Sequence, residues 1–228
     1  MSVCALIVAA GKAVRFGGDI PKQYLEVCGR PLLAWTISRF EAAGSVDRIV
    51  LAVAEDRLLS AQQDVVEPFG FSKVDKIING GSTRQESVFK GLHALPTTTE
   101  VVLIHDGARP LVAPEDIDKL AELAAQNGAA MLAARAKDTV KEVDDGKVVS
   151  TLKRELIYLA QTPQAFRYDL ILSAHEKYAD SGAATDDAAL LERQGKRVLV
   201  LEPTGSNLKV TSREDLMMAE AILKGQAQ

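Results

Sequence analysis

Val3-Cys4-Ala5-Leu6-Ile7-Val8-Ala9-Ala10-Gly11-Lys12-Ala13-Val14-Arg15-Phe16-Gly17-Gly18 stands near the start of the chain, and its two halves have different physics. Residues 3–8 are a short apolar run rich in β-branched side chains, the pattern of a strand buried on both faces. The second half is made of small residues with two cations, which suits a loop and neither a strand nor a helix. A buried strand that empties into such a loop, with Pro31 then opening a helix that carries Leu33, Ile37 and Phe40 up to Gly44, is the first unit of an α/β fold.

The alternation continues outward from that unit. Strands are expected at 49–53, 74–78, 101–104, 129–133 and 198–201. Between them lie helical stretches: one running to about Glu67 where Pro68 stops it, one behind Ser82-Thr83-Arg84-Gln85, which has the form of a capping box, and one over 114–126. Further helices fall near 169–178, 186–193 and from about Ser212 onward. The pattern predicts a mostly parallel sheet with helices on both faces. The rhythm breaks once, where two alternating segments flank Asp144-Asp145-Gly146, a hairpin signature. The reading is one domain over residues 1–228 with a projecting β-hairpin arm at about 137–156, and it contains no internal repeat or linker.

Composition excludes several classes. Of 228 residues 47% are apolar and 25% charged, a balance far from that of a disordered chain. The longest apolar stretch is about half of what a bilayer-spanning helix needs, and no signal-peptide pattern surrounds it. Two cysteines, Cys4 and Cys28, allow at most one bridge and no metal framework, so a reducing cytoplasm is the expected compartment. A net charge of -4 argues against a duplex-DNA binder.

In open α/β sheets ligands bind beyond the carboxyl ends of the strands, which directs attention to the residues just past each strand end. After the first strand, residues 9–18 and Pro21-Lys22-Gln23 could bring backbone N–H groups and the charges of Arg15 and Lys22 to a phosphate chain, or could be a solvated loop. A dinucleotide fingerprint would need glycines where Ala13 and Phe16 stand, and a P-loop would end in Gly-Lys-Ser/Thr. After the third strand, Gly80-Gly81-Ser82 opens a helix start, where free N–H donors favour polar ligands, with Arg84 and Ser87 one turn further in. The fourth strand ends in His105-Asp106-Gly107-Ala108-Arg109-Pro110. There Asp106 could hold a divalent cation or cap a turn paired with Arg109, while His105 reads as a satisfied strand residue. The arm carries Lys137-Asp138-Thr139-Val140-Lys141, with Arg154 beyond, and Asn207-Leu208-Lys209-Val210-Thr211 places a lysine between apolar neighbours. There is no recognisable Ser-His-Asp or Cys-His arrangement.

Taken together, these motifs resemble the nucleotidyltransferase family that makes activated sugars and polyols. Within it, the ordered series from the first loop through Thr162-Pro163-Gln164, Thr185-Asp186 and residues 207–211 is similar to the 2-C-methyl-D-erythritol 4-phosphate cytidylyltransferases, over roughly Cys4 to Glu220. The chain departs from the family at Ala13, where glycine is usual. The resemblance implies a Rossmann-like fold and an enzyme that moves a cytidylyl group from CTP to the methylerythritol phosphate in non-mevalonate isoprenoid synthesis. It also implies a CTP pocket lined by Ala9, Ala10, Gly11, Gly81, Ser82 and Ser87, with Arg15 and Lys22 stabilising the triphosphate. Arg154 and Lys209 would position the acceptor, helped by Arg109 and Thr139, and Asp106 would bind Mg²⁺ or the ribose side of the product. In the family the arm embraces a second subunit, so a homodimer is expected. Competing expectations are a ribitol 5-phosphate cytidylyltransferase, a nucleotide-binding regulatory module without catalysis, and a nicotinamide dehydrogenase, the last disfavoured by the glycine spacing.

Overall fold

A computed structural model describes residues 1–11, 21–179 and 184–226. Ala13 and Arg15 lie outside the described residues. In chain order the elements are β1 (Val3–Ala9), a short ribbon of β2 (Glu26–Val27) and β3 (Arg30–Pro31), α1 (Leu32–Ala42), β4 (Arg48–Val53), the single turn α2 (Leu58–Ser60), β5 (Val74–Asn79), α3 (Arg84–Ala94), β6 (Val101–Asp106), α4 (Pro114–Asn127) and β7 (Ala129–Arg135). The arm strands β8 (Lys141–Asp144) and β9 (Lys147–Thr151) come next. Then come β10 (Tyr158–Arg167), α5 (Tyr168–Lys177), α6 (Ala188–Glu192), β11 (Leu199–Leu201) and α7 (Arg213–Gln226).

The main sheet has seven strands in the order β11-β7-β10-β6-β1-β4-β5. The central strand is β6, and beside it β1 runs parallel to β4 on one side and to β6 on the other. Because successive side chains of a strand point to opposite faces, β1 feeds two cores. Ala5 and Ile7 join Leu33, Ile37, Phe40, Leu51 and Leu103 on one side, and Cys4 and Leu6 join Val50, Val88, Leu92, Ile104 and Phe166 on the other. Gly91 is what lets α3 pack so closely: a Cβ there would overlap the Leu6 side chain. The chain runs from β1 outward to β4 and β5, then returns to β6 on the opposite side of β1. Strand order therefore reverses between β1 and β6, and a crevice opens beyond their carboxyl ends.

Three local differences from the sequence reading have physical causes. The sheet is mostly parallel, but β10 runs antiparallel to both β6 and β7 in the middle of it, a strand the alternation did not reveal. The expected helix before Pro68 is broken into 3-10, α and π turns, and a final 3-10 turn containing Pro68 ends at Gly70 with φ 62. The cap of α3 is Thr83, one residue later than Ser82, and its side chain accepts from Glu86 N–H. The hairpin turn is as expected, with Asp145 and Gly146 both at positive φ between β8 and β9. Among the described residues no helix is long and apolar enough to cross a membrane.

Candidate active site

The crevice beyond β1 and β6 is a cleft of about 670 Å³, a size typical of small-molecule sites. Its first wall is the end of β1 and the loop beyond. Buried Gln23 ties that loop down, donating through Nε2 to the carbonyls of Ala9 at 2.6 Å and Gly11 at 2.8 Å. Beside it, Lys22 Nζ donates to Val210 O at 2.6 Å and so links this loop to the segment after β11.

The second wall is the start of α3. Gly80 lies against Ala10 so tightly that a Cβ would come within 2.5 Å of the Ala10 Cβ and 3.0 Å of Ser87 Oγ. Here the donors expected to be open are already taken. Gly81 N–H donates to Ser87 Oγ at 2.9 Å, and that hydroxyl donates to Thr83 O at 2.8 Å. Ser82 gives both its N–H and its hydroxyl to Glu86 at 2.7 Å, which holds the Glu86 carboxyl down to about 2. The Gly81 and Ser82 donors are thus spent within the chain, and cations elsewhere in the cleft add attraction for an anion.

The third wall is the tip of β6, built on a buried network whose proton positions are set by its obligate donors and acceptors. Asp106 N–H donates to Thr162 Oγ1 at 3.1 Å, and because the Arg109 carbonyl can only accept, the His105 proton sits on Nε2 and Nδ1 of the neutral ring accepts from the Thr162 hydroxyl at 3.2 Å. His105 Nε2–H then donates to the Arg109 carbonyl at 3.1 Å. Burial pushes the His105 pKa down to about 3, so the ring is neutral and serves as a brace. Burial would also raise the Asp106 carboxyl, but Arg84 and Lys209 outweigh it and hold it well below the usual carboxylate range. Arg84 Nε lies 3.0 Å from one oxygen and Lys209 Nζ 2.7 Å from the other.

Ala9, Ala10, Gly11, Lys22, Gly81, Ser82, Ser87, Asp106 and Lys209 therefore line one cleft. Arg109 does not line it: the residue is buried, its guanidinium donates to Asn207 O at 2.7 Å, and it sits 3.9 Å from Asp106. Thr139 and Arg154 are exposed on the arm, outside the cleft lining, and Arg154 donates to Lys137 O at 2.9 Å. Arg15 falls outside the described residues. Sequence reasoning gave no role to Gln23, Arg84 or Thr211, which also line the cleft. All three lie in or beside stretches that the sequence singles out: Gln23 in the Pro21-Lys22-Gln23 run, Arg84 behind Gly80-Gly81-Ser82, and Thr211 at the end of residues 207–211. The described charged residues of the lining are Lys22, Arg84 and Lys209 against the single carboxylate of Asp106. An excess of cations in a partly enclosed cleft attracts a polyanion.

The model of the 2-C-methyl-D-erythritol 4-phosphate cytidylyltransferase family matches residues 3–225. A relative of that name from Geobacter metallireducens is 45% identical, with 98% of each chain covered. Another from Geotalea uraniireducens is 46% identical, covering 98% of this chain and 97% of its own. A crystal structure of 4-diphosphocytidyl-2C-methyl-D-erythritol synthase from Anaerococcus prevotii superposes with a TM-score of 0.86 at 35% identity, covering 98% of both chains. The Thermus thermophilus cytidylyltransferase structure gives 0.79 at 32% identity, covering 98% of this chain and all of that one.

Proposed function

The chain belongs to the 2-C-methyl-D-erythritol 4-phosphate cytidylyltransferase family and transfers a cytidylyl group from CTP to that polyol phosphate, and we propose how the residues of its cleft divide the work. The products are 4-diphosphocytidyl-2-C-methyl-D-erythritol and pyrophosphate, and the activity belongs to isoprenoid precursor synthesis. These relatives support neither a ribitol phosphate acceptor nor a module without catalysis.

In the reaction an oxygen of the acceptor's phosphate forms a bond to the α-phosphorus of CTP while the bridging bond to the β-phosphate breaks. A phosphate monoester has a second pKa near 6, so at neutral pH it is largely a dianion and needs no general base. This agrees with a cleft whose one histidine neighbour, His105, is buried and neutral. The barrier is repulsion between two polyanions, which fixed cations and preorganised donors lower. The reading rests above all on Lys22 and Lys209 converging with Asp106 at the sheet's switch point.

In our assignment Ala9, Ala10, Gly11, Gly81, Ser82 and Ser87 form the surface that receives CTP. Lys22, joined by Arg15, stabilises charge building on the triphosphate. Lys209 orients the acceptor phosphate. Arg109 supports the acceptor site indirectly, by bracing Asn207 and Asp106, and Thr139 and Arg154 act from the arm.

Mg²⁺ suits Asp106. It is the one carboxylate in the described lining, it stays ionised, and no group of three acidic, histidine or cysteine ligands converges among the described residues. Asp106 would hold the ion together with phosphate oxygens, the usual mixed ligand set. When bound, the ion would neutralise triphosphate charge. Lys209, now on Asp106, would turn towards the acceptor phosphate.

We also infer a homodimer made through the arm, in a chain that works in the cytoplasm as one domain. Val143, Val148, Val149, Leu156 and Leu159 are each more than half exposed on or next to the arm, an apolar surface that a second copy would cover. Such pairing would carry Thr139 and Arg154 towards the partner's cleft. Pyrophosphate release tests the activity, with CTP and Mg²⁺ offered against a panel of polyol and sugar phosphates. Turnover should be strong with 2-C-methyl-D-erythritol 4-phosphate. Strong turnover with ribitol 5-phosphate and none with the methylerythritol phosphate would overturn the reading.

A further inference from the structure

Arg84 is the first residue of α3, and its guanidinium bridges two carboxylates from different parts of the fold. Nε lies 3.0 Å from Asp106 Oδ1 in the cleft, and Nη1 lies 2.7 Å from Asp187 Oδ2. Asp187 is outside the cleft lining and only 2% exposed, just before α6. Its other oxygen is 3.1 Å from Nε2 of His175, a residue of α5 that is 1% exposed. The Asp187 backbone is fixed as well. Its N–H and that of Ala188 both donate to Gln164 Oε1 from β10, at 3.1 and 3.0 Å.

Burying a carboxylate this deeply is strongly unfavourable unless it is paired, and apolar residues would fill the space more cheaply. Burial alone would raise the Asp187 carboxyl, yet Arg84 and the His175 hydrogen bond leave it lowered. We propose that Asp187, braced by His175, is a positioning residue of the transfer site, acting through Arg84 on Asp106. This rests on the reading of the cleft as the CTP site. Held at both ends, the Arg84 side chain keeps the start of α3 and the tip of β6 at a fixed spacing. Without the Asp187 charge, the guanidinium is released to pair in bidentate fashion with Asp106 and draw it away from Lys209.

The test is a double-mutant cycle on kcat for pyrophosphate release, with folding followed by circular dichroism and thermal unfolding. Lysine cannot bridge two carboxylates as a planar guanidinium does, so R84K should lower kcat about tenfold, and D187N about fivefold. Because Asp187 acts through Arg84, the D187N/R84K double variant should match R84K alone within about twofold. A merely structural role would instead multiply the two losses. That result, or D187N at the wild-type kcat, overturns the proposal. Should D187N fail to fold, H175L carries the same test, since it removes the brace and leaves both charges. It should lower kcat in the wild-type background and not in R84K, and equal losses in both overturn the relay. A wild-type enzyme that releases no pyrophosphate from CTP and the methylerythritol phosphate refutes the functional reading itself, whereas an active enzyme with additive losses refutes only the relay.

Discussion

Replacing Lys22 with alanine separates chemistry from folding. Among its contacts is the 2.6 Å hydrogen bond from Nζ to Val210 O, which joins the loop after β1 to the segment carrying Lys209. A hydrogen bond from a charged group contributes about 1.5–3 kcal/mol when buried, and partial exposure of this one reduces that to about 1 kcal/mol. In a chain of this length about 1 kcal/mol moves the melting temperature by roughly 2–4 °C. The catalytic cost is larger, because Lys22 is one of few cations facing a transition state that gains charge. Removing one such donor costs on the order of 3 kcal/mol. At about 1.4 kcal/mol per decade, that is roughly two decades in kcat. Initial rates at saturating CTP and acceptor, with thermal unfolding of the same preparations, measure both. A kcat within about threefold of wild type would refute the reasoning, as would a melting shift large enough to explain the loss.

Gly80→Ala should lower the melting temperature and raise the KM for CTP, because its Cβ would meet Ala10 at 2.5 Å. Overpacking of this kind costs about 1–3 kcal/mol, and calorimetry with initial rates checks it. Acid should weaken the fold in two windows. The buried ring of His105 has its pKa lowered from 6.5 to about 3, so as pH falls through that range the unfolded chain takes up a proton that the folded chain refuses, and stability drops. A chemical-denaturation series should therefore show a shallower acid slope for H105Q than for wild type between those values, and identical slopes would contradict the neutral ring. The carboxyls of Asp106 and Asp187 are lowered, so their contribution is complete above the ordinary carboxylate range and is lost only as pH falls below it. Wild type should accordingly lose its stability margin over D106N at the acid end, and a margin that widens there would be inconsistent with the ion pairs. Finally, V149D combined with L156D should shift the mass in light scattering from two chains to one, and an unchanged dimer would remove the arm from the interface.

The parallel core was legible because β1, β4 and β6 are buried on both faces and so carry unbroken apolar runs. β10 was hidden for the opposite reason. Its middle holds Gln161, Thr162, Pro163 and Gln164, which break the apolar pattern, although Thr162 and Gln164 are buried and spend their polar atoms on Asp106, His105 and Asp187. In the cleft, the residues after each strand could be found from the α/β rule alone. The role of Arg84 could not, since Asp187 lies 103 positions further along and only the fold brings them together. For Gln23 the Pro21-Lys22-Gln23 run marked the segment, but nothing in a glutamine announces that its side chain will clamp the carbonyls of Ala9 and Gly11. The capping-box pattern was visible at Ser82, but Thr83 is the cap because its Oγ1 accepts from Glu86 N–H, while the Glu86 carboxylate closes back on Ser82.

A crystal structure with bound CTP tests the central claim most directly. The account predicts the triphosphate beyond the carboxyl ends of β1 and β6, with phosphate oxygens within hydrogen-bond distance of Lys22 Nζ and the base against Ala10, Gly81 and Ser87. A triphosphate bound on another face, with Lys22 still on Val210 and Lys209 still on Asp106, would contradict it.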